Sequence, residues 1–173
     1  GAQGLKAYKN SRVEKMNAAF LSLETAEERE DFADKYKKTT LGGVVFLELA
    51  DEAYKKGDFE DAAEFYEDAQ KGLKGTLFES RAMLGEAVSL ILDGEKEDGK
   101  EILEDILKKG DKVPSILMAE TLFTLALIEF EKGKYSDCKM RLDAVEKLPN
   151  AGIFAEKVKI FQDELSRKIT EED

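Results

Sequence analysis

Apolar residues recur along this chain at the three- and four-residue steps of amphipathic helices, broken by short charged turns. The spacing predicts nine helices, over 5–23, 25–37, 42–56, 59–72, 76–93, 96–109, 114–132, 135–147 and 151–169. Several starts carry local signals. Thr25-Ala26-Glu27-Glu28 and Thr76-Leu77-Phe78-Glu79 both have the spacing of a capping box, in which hydroxyl and carboxylate satisfy orphan N–H groups reciprocally. Pro114 suits a first helical turn, and Pro149-Asn150 is expected to end one helix and cap the next.

The pattern repeats. Lys55-Lys56-Gly57-Asp58-Phe59, Leu92-Asp93-Gly94-Glu95-Lys96 and Glu131-Lys132-Gly133-Lys134-Tyr135 each join two helical patterns, with turn glycines 37 and 39 residues apart. Seven residues before each glycine stand Ala50, Ala87 and Ala126; five after come Ala62, Gly99 and Cys138. Both columns are small. Tyr66, Leu103 and Leu142 follow at nine after, and Ala69, Ile106 and Val145 at twelve after. Phe46, Met83 and Leu122, eleven before the glycine, supply a large apolar side chain on the first helix. Small residues at the crossing let each hairpin close tightly, and each hairpin then buries its remaining apolar face only against a neighbour. The fold class expected is all-α, a helical solenoid over 1–173. It divides into capping helices at 1–40, repeats at 41–75, 76–111 and 112–150, and a final cap at 151–173.

These residues resemble the tetratricopeptide repeat, most closely in Ala50, Tyr54, Gly57-Asp58-Phe59, Ala62, Tyr66 and Ala69. The resemblance implies a right-handed superhelix of antiparallel helix pairs. The later copies depart from the pattern: Glu86 stands where a leucine is usual, Lys96 where an aromatic is, and each copy exceeds the standard length of about 34 residues. The segment from Phe32 through Lys37-Lys38-Thr39-Thr40-Leu41-Gly42 into Leu47-Glu48-Leu49-Ala50 is similar to the bacterial YfgM-like family of membrane-anchored tetratricopeptide proteins. That similarity implies a periplasmic domain on the inner membrane, with a translocon subunit (Sec), a chaperone or an envelope protein as partner. It also implies a transmembrane anchor preceding Gly1, and the start at Gly1-Ala2-Gln3-Gly4 reads as a trimmed or processed product.

Composition narrows the chemistry. Of 173 residues 42% are apolar and 38% charged, with 27 basic against 38 acidic side chains and a net charge of −11, which argues against nucleic acid or an anionic membrane as ligand. There is no histidine, so histidine-based triads, imidazole metal ligands and the usual pH switch are excluded. Cys138 is the sole cysteine, and no apolar run reaches the roughly 18 residues needed to span a bilayer, so the chain as given is expected to be soluble.

Three local patterns suggest chemistry, and each has a plainer reading. Asp93 to Glu104 places acids at positions one, three, five and twelve of a calcium loop, but Asp98 occupies the sixth position, where glycine is needed, so a turn is expected. Ser136-Asp137-Cys138-Lys139 has the Ser-x-x-Lys spacing of acyl-serine enzymes without their partner motifs, so Ser136 is expected to cap a helix. Cys138 falls in the small-residue column and reads as a buried structural thiol. No enzyme activity, cofactor or metal is expected.

The inner face of the solenoid is the candidate site. Positions ten, six, three and two before each turn glycine line it, and from them Leu47, Tyr54, Leu84, Val88, Ile91, Phe123, Leu127 and Phe130 are assigned to a partner-binding groove. Asp51 and Glu120 have the wrong sign for clamping a carboxylate terminus. The function expected is a protein-interaction scaffold or chaperone-like module. The alternative is a structural oligomerisation domain, its groove filled by the first helix (Leu5, Tyr8, Val13, Met16, Phe20, Leu23) or the last (Ile153, Phe154, Val158, Phe161, Leu165).

Overall fold

The computed structural model describes residues 1–172. Among them are α1 (Ala2–Leu21), α2 (Ala26–Lys35), α3 (Thr40–Lys56), α4 (Phe59–Leu73), α5 (Glu79–Asp93), α6 (Lys96–Lys108), α7 (Ser115–Glu131), α8 (Tyr135–Glu146) and α9 (Ile153–Glu172), with one 3-10 turn at Gly110–Lys112. Asp173, the last residue assigned above to the C-terminal cap, lies outside the described residues. Each predicted helix has its counterpart, and no strand is present among the described residues.

Hairpins α3/α4, α5/α6 and α7/α8 stack in chain order, α4 packing on α5, α6 on α7 and α8 on α9. This is an all-α stack of helix pairs with the architecture of a helical repeat. Gly57 and Gly94 close α3 and α5 in the left-handed conformation, at φ 85° and 102°, which a Cβ would oppose. The following N–H groups reach back five residues, Asp58 to the Ala53 carbonyl and Glu95 to that of Leu90, and Lys134 does the same to Glu129.

The small columns fall where the hairpin helices cross. Ala50, Ala62, Ala87, Ala126 and Cys138 are fully enclosed, and a Cβ on Gly99 would stand 2.5 Å from the Ala87 carbonyl oxygen. Leu103, Leu142, Ile106 and Val145 are likewise buried. The core runs along the stack as three clusters, one centred on α3 and α4, one joining α5, α6 and α7, and one closing α7, α8 and α9.

Charged pairs tie successive turns together. Lys96 pairs with Glu131 at 2.7 Å, Lys132 pairs with Glu97, and Arg141 on α8 reaches both Glu104 on α6 at 2.7 Å and Glu129 on α7 at 3.3 Å. The first two are exposed and contribute little. The Arg141 group is partly enclosed, with Glu104 at its exposed end and Glu129 buried in the core.

Local starts differ from expectation in places. Thr25 and Glu28 form the predicted capping box, but Thr76 and Glu79 do not. The Thr76 hydroxyl instead donates to the Leu73 carbonyl at 2.7 Å and accepts from the Phe78 N–H, while the Glu79 carboxylate accepts from Gly75 N–H at 2.9 Å. Gly75, at φ 78°, turns the chain before Thr76, so the threonine finishes α4 rather than starting α5, which begins three residues later. Pro114 stands at the cap position just before Ser115. Asn150 does not cap α9, because Gly152, at φ 56°, delays that helix to Ile153.

Glu86, the departure from the repeat pattern, is held half-buried between α4 and α5, where the Gln70 side-chain amide donates to it at 2.5 Å. Burial pushes its carboxyl above the usual value of 4.5, Gln70 opposes this, and nearby Glu67 adds to it. A carboxyl raised in the folded state stabilises the fold fully below the unfolded value, and that contribution is lost as pH rises through the folded value. Glu86→Gln is therefore expected to raise the melting temperature at neutral pH and to have little effect near about pH 4. A variant no more stable than the parent at neutral pH contradicts this.

Candidate functional site

The inner faces of α3, α5 and α7 enclose a cleft of about 430 Å³. Asp51, Tyr54 and Lys55 come from α3, Arg81, Leu84, Gly85 and Val88 from α5, Leu117 and Glu120 from α7, and Tyr66 reaches in from α4. Helical spacing on three successive first helices brings these side chains to one surface.

A fixed polar group sits at its centre. Arg81 donates to both Asp51 carboxylate oxygens, at 2.9 and 2.8 Å, and the Tyr66 hydroxyl donates to Asp51 at 2.6 Å. Burial works against the Arg81 charge, but Asp51 outweighs it and holds the guanidinium above its ordinary value. Burial and then the Asp51 hydrogen bond push the Tyr66 phenol well up, so it stays a neutral donor. Tyr66 reaches Asp51 only because α5 has glycine opposite it: a Cβ on Gly85 would stand 2.6 Å from the Tyr66 ring.

Glu120 completes the cleft. Its carboxylate accepts no hydrogen bond and joins no ion pair among the described residues, and burial raises its carboxyl while Lys157 and Arg81 pull it the other way. The cleft thus offers apolar walls at Leu84, Val88 and Leu117, an aromatic edge at Tyr54 and one acceptor still unused.

Of the groove residues expected from the sequence, Tyr54, Leu84 and Val88 meet in this cleft. Leu47 does not line it, because it is buried in the cluster around α3 and α4. Ile91 packs over Gly99 at the start of α6, since the missing side chain there leaves room for it. Phe123 and Phe130 are covered by α9: Phe123 meets Phe154 and Phe161 at ring separations of 5.8 and 6.1 Å, and Phe130 meets Phe161 at 5.0 Å. Leu127 stays 38% exposed outside the cleft. The groove is therefore divided, covered by the last helix at Phe123 and Phe130 and open between α3, α5 and the start of α7. The first helix fills none of it, as α1 has no buried residue.

Arg81 and Glu120 were not assigned to the groove, although a column thirteen before the turn glycines contains Val44, Arg81 and Glu120. One more helical turn of the inward stripe would have found them. Tyr66 lies on a second helix, and its only signal was a glycine inside the facing helix at Gly85.

The other candidate patterns are occupied otherwise. Glu97 and Glu104 of the calcium-like loop pair with Lys132 and Arg141, and no group of three His, Cys, Asp or Glu able to hold a metal occurs among the described residues. Lys139 pairs with Asp143 at 2.8 Å, and Ser136 makes no cap bond because Lys134 holds the cap position of α8. Cys138 is buried, and burial with Glu129 nearby pushes its thiol up to about 11, which keeps it protonated at neutral pH. Among the described residues no helix is long and apolar enough to cross a membrane. A scan against protein-family models and a search of curated proteins both find no match for this chain.

Proposed function

We propose that this chain is a non-enzymatic protein-interaction scaffold of the tetratricopeptide type, which binds a segment of a partner in the cleft between α3, α5 and α7. The observation that carries this reading is Glu120, a half-buried carboxylate with no partner among the described residues, beside the apolar walls of an open cleft. Lys157 and Arg81 act on it without coming within ion-pair distance, and a half-buried charge with no direct contact costs free energy that a ligand donor or cation there would offset. The segment that fits brings an apolar side chain against Leu84, Val88 and Leu117 and a donor or cation to Glu120. Apolar contact supplies affinity at about 25 cal/mol per Å² before ordering costs, and the acidic surroundings disfavour acidic segments.

The two small columns and the glycine turns support the tetratricopeptide assignment and a right-handed superhelix. The resemblance to the YfgM-like family extends the reading to a chaperone-like module on the periplasmic side of the bacterial inner membrane, near the Sec translocon. The phenylalanine cover supplied by α9 favours a second reading, a structural oligomerisation domain whose groove serves packing alone.

A photoreactive side chain at Val88, in the full-length protein in its native cells, separates the two. Adducts are expected from Val88 that are absent from the outward Met140 and weakened by the neutral Glu120→Gln, which keeps the side-chain shape and leaves the melting temperature no lower. Equal adducts from both positions, or adducts indifferent to Glu120→Gln, overturn the proposal.

A further inference from the structure

Charge is divided unevenly in this chain. Residues 1–21 carry Lys6, Lys9, Arg12 and Lys15 against the single acid Glu14, a balance of +3, whereas the remainder carries 23 basic against 37 acidic side chains, a balance of −14. The four cations succeed one another at three-residue steps, each about 60° further round the helix, so Lys9 and Arg12 face the middle of one half of α1 with Lys6 and Lys15 at its edges, and Glu14 lies on the other half. Leu5, Tyr8 and Val13 share the cationic side, and they are 60%, 67% and 50% exposed. Only the last turns of α1 are anchored: Met16, Ala19 and Phe20 pack on the first core, with the Phe20 ring 5.9 Å from that of Phe32.

Where α1 passes α2, the two helices bound a cleft of about 310 Å³ lined by Tyr8, Ser11, Arg12, Lys15, Lys35 and Tyr36, with no acid among them. None of its three cations has an ion-pair partner among the described residues. In a chain with an excess of acid, three neighbouring cations without a counter-ion call for one from outside. The chain itself carries a complement. Glu60, Glu64 and Glu67 lie at helical spacing along α4, exposed and without a paired cation among the described residues. That strip spans about 10 Å and the α1 stripe about 13 Å, so the two match in length as well as sign.

We propose that α1 is a docking helix for a second copy of this chain, its cationic and apolar side lying on the Glu60-Glu64-Glu67 strip of α4. The contact is isologous, each copy giving its α1 to the other. It is independent of the inner cleft, since none of these residues lines it.

Charge exchange in the full chain tests this by sedimentation equilibrium at about 100 µM, a concentration that populates a dimer of micromolar affinity. The parent protein is expected to dimerise. Lys6→Glu/Lys9→Glu/Arg12→Glu/Lys15→Glu should weaken association about a hundredfold or more, and Glu60→Lys/Glu64→Lys/Glu67→Lys should do the same, because each variant sets like charges face to face. Mixing the two variants restores both contacts and should yield a heterodimer. At a dilution where the parent is monomeric neither variant should unfold the chain, as all the replaced side chains are exposed. Reversal of Lys74, Lys112, Lys134 and Lys147, which alters net charge elsewhere by as much as the α1 exchange does, should leave the dimer intact. A monomeric parent, a dimer that survives either exchange, no association on mixing, or a monomer that binds anionic vesicles through α1 would each overturn the proposal.

Discussion

Replacing Arg141 by alanine should cost about 3–5 kcal/mol of folding free energy, measured by urea unfolding, because it strands a buried carboxylate. The Glu129 side chain is only 5% exposed, and Arg141 Nε and Nη2 both donate to its Oε1 at 3.3 Å. Its Oε2 is enclosed with no hydrogen-bond partner among the described residues, so the guanidinium supplies all the side-chain compensation that the charge receives. Removing the cation leaves the full desolvation penalty in place. Glu129→Leu/Arg141→Met removes both charges at similar volume and should recover most of the loss, since a buried pair replaced by apolar groups is often neutral or better. An Arg141→Ala loss below about 1 kcal/mol would show that Glu129 does not depend on it.

Gly72→Ala should destabilise by about 2 kcal/mol: overpacking costs about 3, and the better helix propensity of alanine returns about 1. The added methyl would stand 2.3 Å from the Thr39 carbonyl oxygen and 2.9 Å from the Gly43 amide nitrogen, where the end of α4 crosses the start of α3. Both obstacles are backbone and cannot swing aside. Gly4→Ala, on α1 with nothing within 4 Å, should be neutral or slightly stabilising by the same urea measurement. Equal effects at the two sites would mean that the α3–α4 crossing can open without loss.

The helices were legible because each repeat states its own boundaries. The turn glycines mark the ends of first helices, and the small columns predicted burial at Ala50, Ala87, Ala126 and Cys138, all of which are enclosed. Thr76 misled because a threonine followed by a glutamate three residues on is a local signal, and Gly75 redirected both groups to the previous helix. The groove was half legible. Tyr54, Leu84 and Val88 follow from helical spacing, but the spacing of one helix carries no information on what covers it, so the α9 rings over Phe123 and Phe130 were invisible. The Arg81–Asp51–Tyr66 group was harder still, because it draws one residue from each of three helices and depends on the absence of a side chain at Gly85.

The position of Arg141 has a further consequence, for cooperativity. The contact of α6 with α7 is the thinnest between successive helices from α2 to α9, and the guanidinium crosses it, holding Glu104 of α6 and Glu129 of α7 from a third helix. A linear stack unfolds as one unit only while every neighbouring interface outweighs the instability of the segments beside it. The ion group therefore works with the apolar cluster shared by α5, α6 and α7 to couple the two halves of the molecule, and losing it is expected to narrow the margin by which they unfold together.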